Sequence, residues 1–192
     1  MRNEILNEIK ESIKVKENII NSTKLLDDIK NLAEEIIKTL KNNGKIIFFG
    51  NGGSFADAQH LTAEFISKLR VDRNAIPALA LGTNSSNLTA IANDYGYENI
   101  FKRQIESIAN DNDIIFAFST SGNSPNVLEA LKYVKEDFNK NIISILFTGN
   151  KKGKAEKYAN YVIDIPSSNT ARIQEMHIMI GHIICEFVDE SF

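Results

Sequence analysis

The chain has 192 residues, 43% of them hydrophobic and 24% charged, with a formal net charge of −3. That length and apolar content suffice for one well-buried domain and fall short of two ordinary ones. No Lys/Arg run of the kind that tracks nucleic acid occurs, and no apolar stretch approaches the ~20 residues that span a bilayer.

The N-terminus, Met1-Arg2-Asn3-Glu4, enters alternating charges rather than an apolar leader, so the chain is expected to be cytoplasmic, with neither nucleic acid nor membrane as partner. Ile5, Leu6, Ile9 and Ile13 then recur at helical spacing. After the break Asn21-Ser22-Thr23 a second stripe runs through Leu25, Leu26, Ile29, Leu32, Ala33, Ile36, Ile37 and Leu40, and Asn42-Asn43-Gly44 stops it. Residues 1–43 thus read as a helical extension that must pack on something. Ile19 and Ile20 add apolar surface beyond one stripe, which points to a subunit interface.

From Gly44 onward, short β-rich runs alternate with helices. The runs are Lys45–Phe49, Pro77–Leu81, Asp113–Phe118, Ile142–Phe147 and Tyr161–Ile165. Helical patterns fill 55–70, 86–109, 125–138 and 152–159, with Lys151-Lys152 as solvated loop, and a last helix follows Ser167-Ser168-Asn169-Thr170. This alternation predicts an α/β fold over residues 1–192: a doubly wound, five-stranded parallel sheet flanked by helices. Such sheets bind ligands at the carboxyl ends of their strands, where the polar and glycine-rich loops fall here. Cys185, among Ile183, Ile184 and Phe187, reads as a small buried apolar residue.

The strongest local signal is Ser119-Thr120-Ser121-Gly122-Asn123-Ser124-Pro125, which places four hydroxyls within six residues at the end of an apolar run. Gly122 lets the backbone turn tightly, and Pro125 suits the first position of a helix. Hydroxyls, backbone N–H groups and the helix's positive end converge on one point, which makes a phosphate cradle. Ser124 alone can serve as a helix cap, but a cap needs one hydroxyl and this loop has several. It lacks the lysine of a Walker loop, which argues against nucleotide hydrolysis. Gly50-Asn51-Gly52-Gly53-Ser54 permits close approach of backbone to a ligand, or equally a tight strand-to-helix turn. Phe55 follows with no further glycine, so the dinucleotide fingerprint is not met.

The next helix carries His60 and Glu64, four residues apart and so on one face. The last helix carries Gln174, His177 and His182. Each of these can be an ordinary polar residue. Together, in a chain with only 3 histidines, they point to a clustered site, and His plus carboxylate suits zinc or a similar divalent ion. Gln174 and His182 lie ~12 Å apart along one helix. Both can meet one ion only by long reaches or by a contribution across a subunit interface. Asn93-Asp94-Tyr95-Gly96-Tyr97 reads as a polar turn, serving either an Asx turn or hydrogen bonds to sugar hydroxyls.

In these residues the chain resembles the sugar isomerase (SIS) domain proteins, and most closely the bacterial phosphoheptose isomerases, over nearly its whole length. Gly50-Asn51-Gly52-Gly53-Ser54, His60 with Glu64, Asn93-Asp94-Tyr95-Gly96, the Ser119–Ser124 loop and Arg172-Ile173-Gln174-Glu175 stand in the family's order and spacing. The resemblance implies interconversion of sedoheptulose 7-phosphate and D-glycero-D-manno-heptose 7-phosphate, the opening step of ADP-heptose synthesis. It implies a homotetramer with active sites between subunits, which would relieve the spacing of Gln174 and His182. It also implies a zinc ion on His60, Glu64, Gln174 and His182, with Glu64 and His182 as the acid–base pair. Ser119, Thr120, Ser121 and Ser124 match phosphate and substrate contacts, as do Asn51, Gly52, Gly53, Ser54, Glu64, Asn93, Asp94 and Gln174.

Aldose–ketose exchange moves a proton between adjacent carbons through an enediol, and needs a base, an acid and a group that holds developing negative charge. Glu64 is the expected base and His182 its partner. A zinc-bound carboxylate is a weaker base, so Glu64 leaves the ion during turnover or the ion serves chiefly as organiser. Two competing readings are a non-catalytic SIS scaffold or sugar-phosphate sensor, and an isomerase of another sugar phosphate. Proteins of the scaffold kind tend to lack the helix carboxylate and the final histidine, both present here.

Overall fold

A computed structural model describes residues 1–151 and 153–192. Its N-terminal helices are α1 (Arg2–Ile20) and α2 (Thr23–Lys41). Ser22 starts α2 by accepting the Leu25 N–H on its hydroxyl at 3.3 Å, a standard use of serine at a helix start. The stripe of α2 is buried through Leu25, Ile29, Leu32, Ala33, Ile36 and Leu40. In α1 only Val15 and Ile19 are buried, and Ile5, Leu6, Ile9 and Ile13 stay about half exposed.

The remaining elements are β1 (Ile46–Gly50), α3 (Gly53–Ile66), β2 (Ala78–Ala80), α4 (Ser85–Tyr95), α5 (Ile100–Ile108), β3 (Ile114–Phe118), α6 (Pro125–Glu136), β4 (Ile143–Gly149), β5 (Tyr161–Ile165) and α7 (Thr170–Asp189). All strand pairs are parallel, in the order β2-β1-β3-β4-β5. The chain leaves β1 toward one edge of the sheet and returns to build β3, β4 and β5 on the other side. The reversal therefore lies between β1 and β3, the place where open α/β sheets take ligands. No helix of the described residues is long and apolar enough to cross a membrane.

Strand residues alternate between two cores. One face carries Phe48, Phe116, Phe118 and Phe147, packed against α2, α3 and α7. The other carries Ile47, Phe49, Ile115, Ala117 and Leu146, packed against α5 and α6. The phenylalanines of the first face form a connected group, with ring centroids 5.0 Å apart for Phe48 and Phe116, 5.5 Å for Phe116 and Phe147, and 5.2 Å for Phe118 and Phe147.

Four expectations need correction. The pattern over 86–109 is two helices, broken at Gly96 (φ 88°) and joined by a 3-10 turn at Tyr97–Asn99. The pattern over 152–159 is only a 3-10 turn at Glu156–Tyr158, and Lys152 lies outside the described residues. The fourth strand runs past Phe147, because Thr148 and Gly149 still pair with Asp164 and Ile165. The helix expected at 55–70 starts at Gly53 and stops at Ile66, before a segment that folds back on α7.

Phe116 sits at the centre of the aromatic group. Phe116→Ala is expected to cost about 3–5 kcal/mol of stability, read from the shift in a urea unfolding midpoint at unchanged slope.

Candidate functional site

Gly50 of β1 and Phe118 of β3 are register partners, so the loops after both strands leave the sheet at one level. The first loop turns through Gly52 at φ 56°, and a Cβ on Gly53 would lie 2.0 Å from the Gln174 amide nitrogen. The missing side chain at Gly53 thus lets α7 lay Gln174 over the start of α3. Asn51 and Asn126 exchange two amide hydrogen bonds, each 2.8 Å, and the Tyr97 hydroxyl donates to Asn51 Oδ1 at 3.2 Å. This amide pair clamps the first loop to the first turn of α6.

The second loop, Ser119 to Ser124, wraps around Gly122 at φ 62°. Its amide donates to the Ser119 carbonyl at 2.9 Å, and its own carbonyl accepts the Ala155 N–H at 3.0 Å. A Cβ on Gly122 would sit 2.8 Å from Gly153 Cα, so two glycines let this loop and the one after β4 pack backbone on backbone. The Ser119 and Ser124 hydroxyls hydrogen-bond to each other at 3.0 Å, and Ser124 makes no side-chain cap on α6. The capping explanation for Ser124 is therefore set aside. Asn123 holds the loop shut, donating to the Ser121 carbonyl at 2.8 Å and accepting the Lys154 N–H at 3.1 Å. Pro125 at the start of α6 leaves the positive end of that helix directed at the hydroxyls.

Two turns along α3 from the first loop, His60 and Glu64 meet His182 of α7. His60 Nε2 lies 2.9 Å from His182 Nε2 and 3.3 Å from Glu64 Oε1, and the two imidazoles stand edge to face at 83°. One ligand atom from each residue falls within 4.8 Å of the other two, close enough to share a single divalent ion. The neighbouring Gly181 is buried, and a Cβ there would lie 2.7 Å from the Leu61 side chain. That glycine is what allows α7 to approach α3 closely enough for the cluster to form. Gln174 of the same chain stays at the Gly53 end, away from the three. Asn93 and Asp94 close the last turn of α4, exposed, with Asn93 Nδ2 donating to Asp94 Oδ1 at 2.8 Å. Ser54 is buried at the start of α3.

Three residues of this region escaped the sequence reading. Asn126 is 1% exposed and links the loops; its signal was an amide in the first turn of α6, directly after the hydroxyl loop. Asp57 precedes His60 and Glu64 on the same face of α3, at spacings that a helical reading can find. Burial raises its carboxyl to about 6, against the opposing pull of His60. Arg73, far from any motif, had no signal at all. Cys185 is buried, and burial pushes its thiol up, which removes it as a nucleophile.

Residues 9–146 match the family model of the SIS domain. The chain is 45% identical over 191 residues to the phosphoheptose isomerase of Clostridium acetobutylicum, covering 100% of this chain and 96% of the relative. It is 49% identical over 181 residues to phosphoheptose isomerase 2 of Campylobacter jejuni, covering 94% and 89%. The solved phosphoheptose isomerase of Neisseria gonorrhoeae is similar with a TM-score of 0.89 at 36% identity, over 98% of both chains.

His177, three residues after Gln174, is fully buried behind the second loop, with Nε2 3.3 Å from the Thr148 carbonyl. Burial pushes its pKa down to about 4, partly offset by that hydrogen bond. The imidazole is neutral in both states above the unfolded value near 6.5; below it only the unfolded chain takes up the proton, so stability falls until about pH 4. Between pH 7 and 4 wild type should lose up to about 3 kcal/mol more than His177→Gln, measured by urea unfolding at each pH.

Proposed function

This chain belongs to the SIS-domain family and, within it, to the phosphoheptose isomerases, and on that premise we propose that it interconverts sedoheptulose 7-phosphate and D-glycero-D-manno-heptose 7-phosphate. The reaction opens ADP-heptose synthesis. The observation that carries this reading is the meeting of Glu64 with His60 and His182 two turns along the helices that border the sugar-phosphate loops.

In this reading the Ser119–Ser124 loop takes the phosphate. Its hydroxyls and the N-terminus of α6 offer hydrogen bonds and positive potential without a fixed cation, which suits a phosphate monoester held reversibly. Asn51, Gly52, Gly53 and Ser54, with Asn93, Asp94 and Gln174, bind the sugar chain. His60 lies about 10 Å along α3 from Gly53, so a long phosphorylated chain is needed to join loop and cluster. Glu64 takes the proton from one carbon and returns it to the next, and His182 exchanges the proton of the oxygen.

Two imidazoles and a carboxylate are a donor set that fits zinc, and His60, Glu64 and His182 would hold it, with Gln174 as a fourth ligand. When bound, the ion would polarise the substrate's carbonyl and adjacent hydroxyl oxygens. The position of Gln174 supports a homotetramer with sites between subunits, in which the Gln174 of another copy completes the set. The outward apolar face of α1 supports it too. The reading takes residues 1–192 as one SIS domain acting in the cytoplasm.

Incubation with sedoheptulose 7-phosphate should yield the aldose phosphate, and fructose 6-phosphate should not react. Glu64→Gln should lower kcat by about 10²–10⁴-fold and leave affinity for inorganic phosphate, measured by calorimetry, unchanged. Near-normal turnover in that variant would remove Glu64 as the base. Elemental analysis should find zinc in the wild-type protein and little in His60→Ala or His182→Ala.

A further inference from the structure

The end of α3 and the end of α7 are joined by a buried ion pair outside the reacting groups. The Arg73 side chain is 3% exposed and that of Asp189 is 0%. Arg73 Nε donates to Asp189 Oδ1 at 2.6 Å. Its Nη2 donates to the backbone carbonyl of Glu64 at 3.0 Å, and its Nη1 to those of Phe65 and Asn74, both at 3.0 Å, with a longer 3.4 Å contact to Ser67. The other oxygen of Asp189 accepts the N–H groups of Arg70 and Val71 at 3.0 and 2.8 Å. Burial pushes the Asp189 carboxyl up, but the Val71 and Arg70 amides and the Arg73 guanidinium outweigh it and hold the group below the usual range.

The last carbonyls of a helix lack intrahelical partners. Two of those in α3, including that of Glu64 itself, point into one rigid guanidinium fork. Taking both charges out of water is costly, and apolar replacement of a buried pair is often neutral or better for stability. What such a pair supplies is geometry, because a planar fork accepts partners only in fixed directions. The anchor on the other side, Asp189, lies two turns beyond His182 on α7. The fork thus spans the two helices that carry Glu64 and His182, and it touches the backbone of one of them directly.

We propose that Arg73 and Asp189 are positioning residues that set the separation of Glu64 from His182. The proposal rests on the reading of those two as the acid–base pair. Neither Arg73 nor Asp189 is placed to touch substrate. Loosening the brace should let the end of α3 shift against α7, and a displacement near 1 Å at reacting groups is worth about 10²-fold in rate.

Three variants test this in the full chain: Arg73→Lys, which keeps the charge and loses the fork; Asp189→Asn, which keeps the shape; and the double change Arg73→Met with Asp189→Leu, which leaves no unpaired charge. For each variant that melts within a few degrees of wild type, kcat on sedoheptulose 7-phosphate should fall about 10²-fold while KM changes less than about threefold. Cobalt(II) titrated into metal-free protein gives a second readout, and its visible bands and affinity should change in the same variants. Arg73→Lys, the mildest change, decides the matter if the other two fail to fold. A folded variant with wild-type kcat and wild-type cobalt spectrum overturns the proposal. If wild type shows no turnover, the isomerase reading fails by itself, and the cobalt spectra still decide whether the brace sets the cluster.

Discussion

The site depends on the reversal of strand order between β1 and β3. Because the chain builds outward from β1 in one direction and from β3 in the other, the loops after these strands lie side by side at the carboxyl edge of the sheet. Their level is set by register: Gly50 pairs with Phe118, and so Asn51 can reach Asn126 across the gap. The same register turns Phe48, Phe116 and Phe118 to one face. A slip of one residue would reverse all the side chains of β3 and move Ser119 away from the first loop. Core packing and site geometry are therefore one constraint, held by the same hydrogen-bond ladder.

A second level of organisation lies in the helices above that face. Helix α3 begins in the first loop and α7 crosses it, with close contacts where Gly53 meets Gln174 and where Gly181 meets Leu61. A glycine inside a helix costs about 1 kcal/mol relative to alanine, and here the absent Cβ is what leaves room for the Leu61 side chain of the neighbouring helix. His182 follows directly and meets His60 and Glu64. At the far end, Arg73 and Asp189 close the same pair of helices with a polar lock. The cluster thus sits between an apolar close contact and a buried ion pair, each limiting how the helices can slide.

The N-terminal helices show how far an apolar stripe can be read. The stripe of α2 is covered by β5 and α7 within the chain. Helix α1 is held by its buried Val15 and Ile19 and by polar contacts to the start of α7: Ser12 with Glu175, Asn169 with Glu11, and Arg172 with the Glu8 carbonyl. Its residues Ile5, Leu6, Ile9 and Ile13 point outward. Periodicity reports that a face is apolar; what covers it depends on surfaces that a single stripe does not describe.

By itself the sequence determined the elements whose signal is local. The five strands, the break at Asn21-Ser22-Thr23, the glycine turns and the hydroxyl loop all follow from side-chain periodicity, glycine freedom and proline placement within a few residues. The pairing of His60 with Glu64 was legible for the same reason, since helical spacing places them on one face. Local pattern missed where tertiary packing intervened: Gly96 splits one apolar stretch into two helices, and pairing with β5 extends the fourth strand through Thr148 and Gly149. The Asn51–Asn126 clamp, the approach of His182 to α3 and the Arg73–Asp189 lock were decided only by the tertiary structure. Each joins residues more than seventy positions apart in the chain, and contacts at such separation are set by sheet order and helix packing, which leave no periodic trace in the sequence.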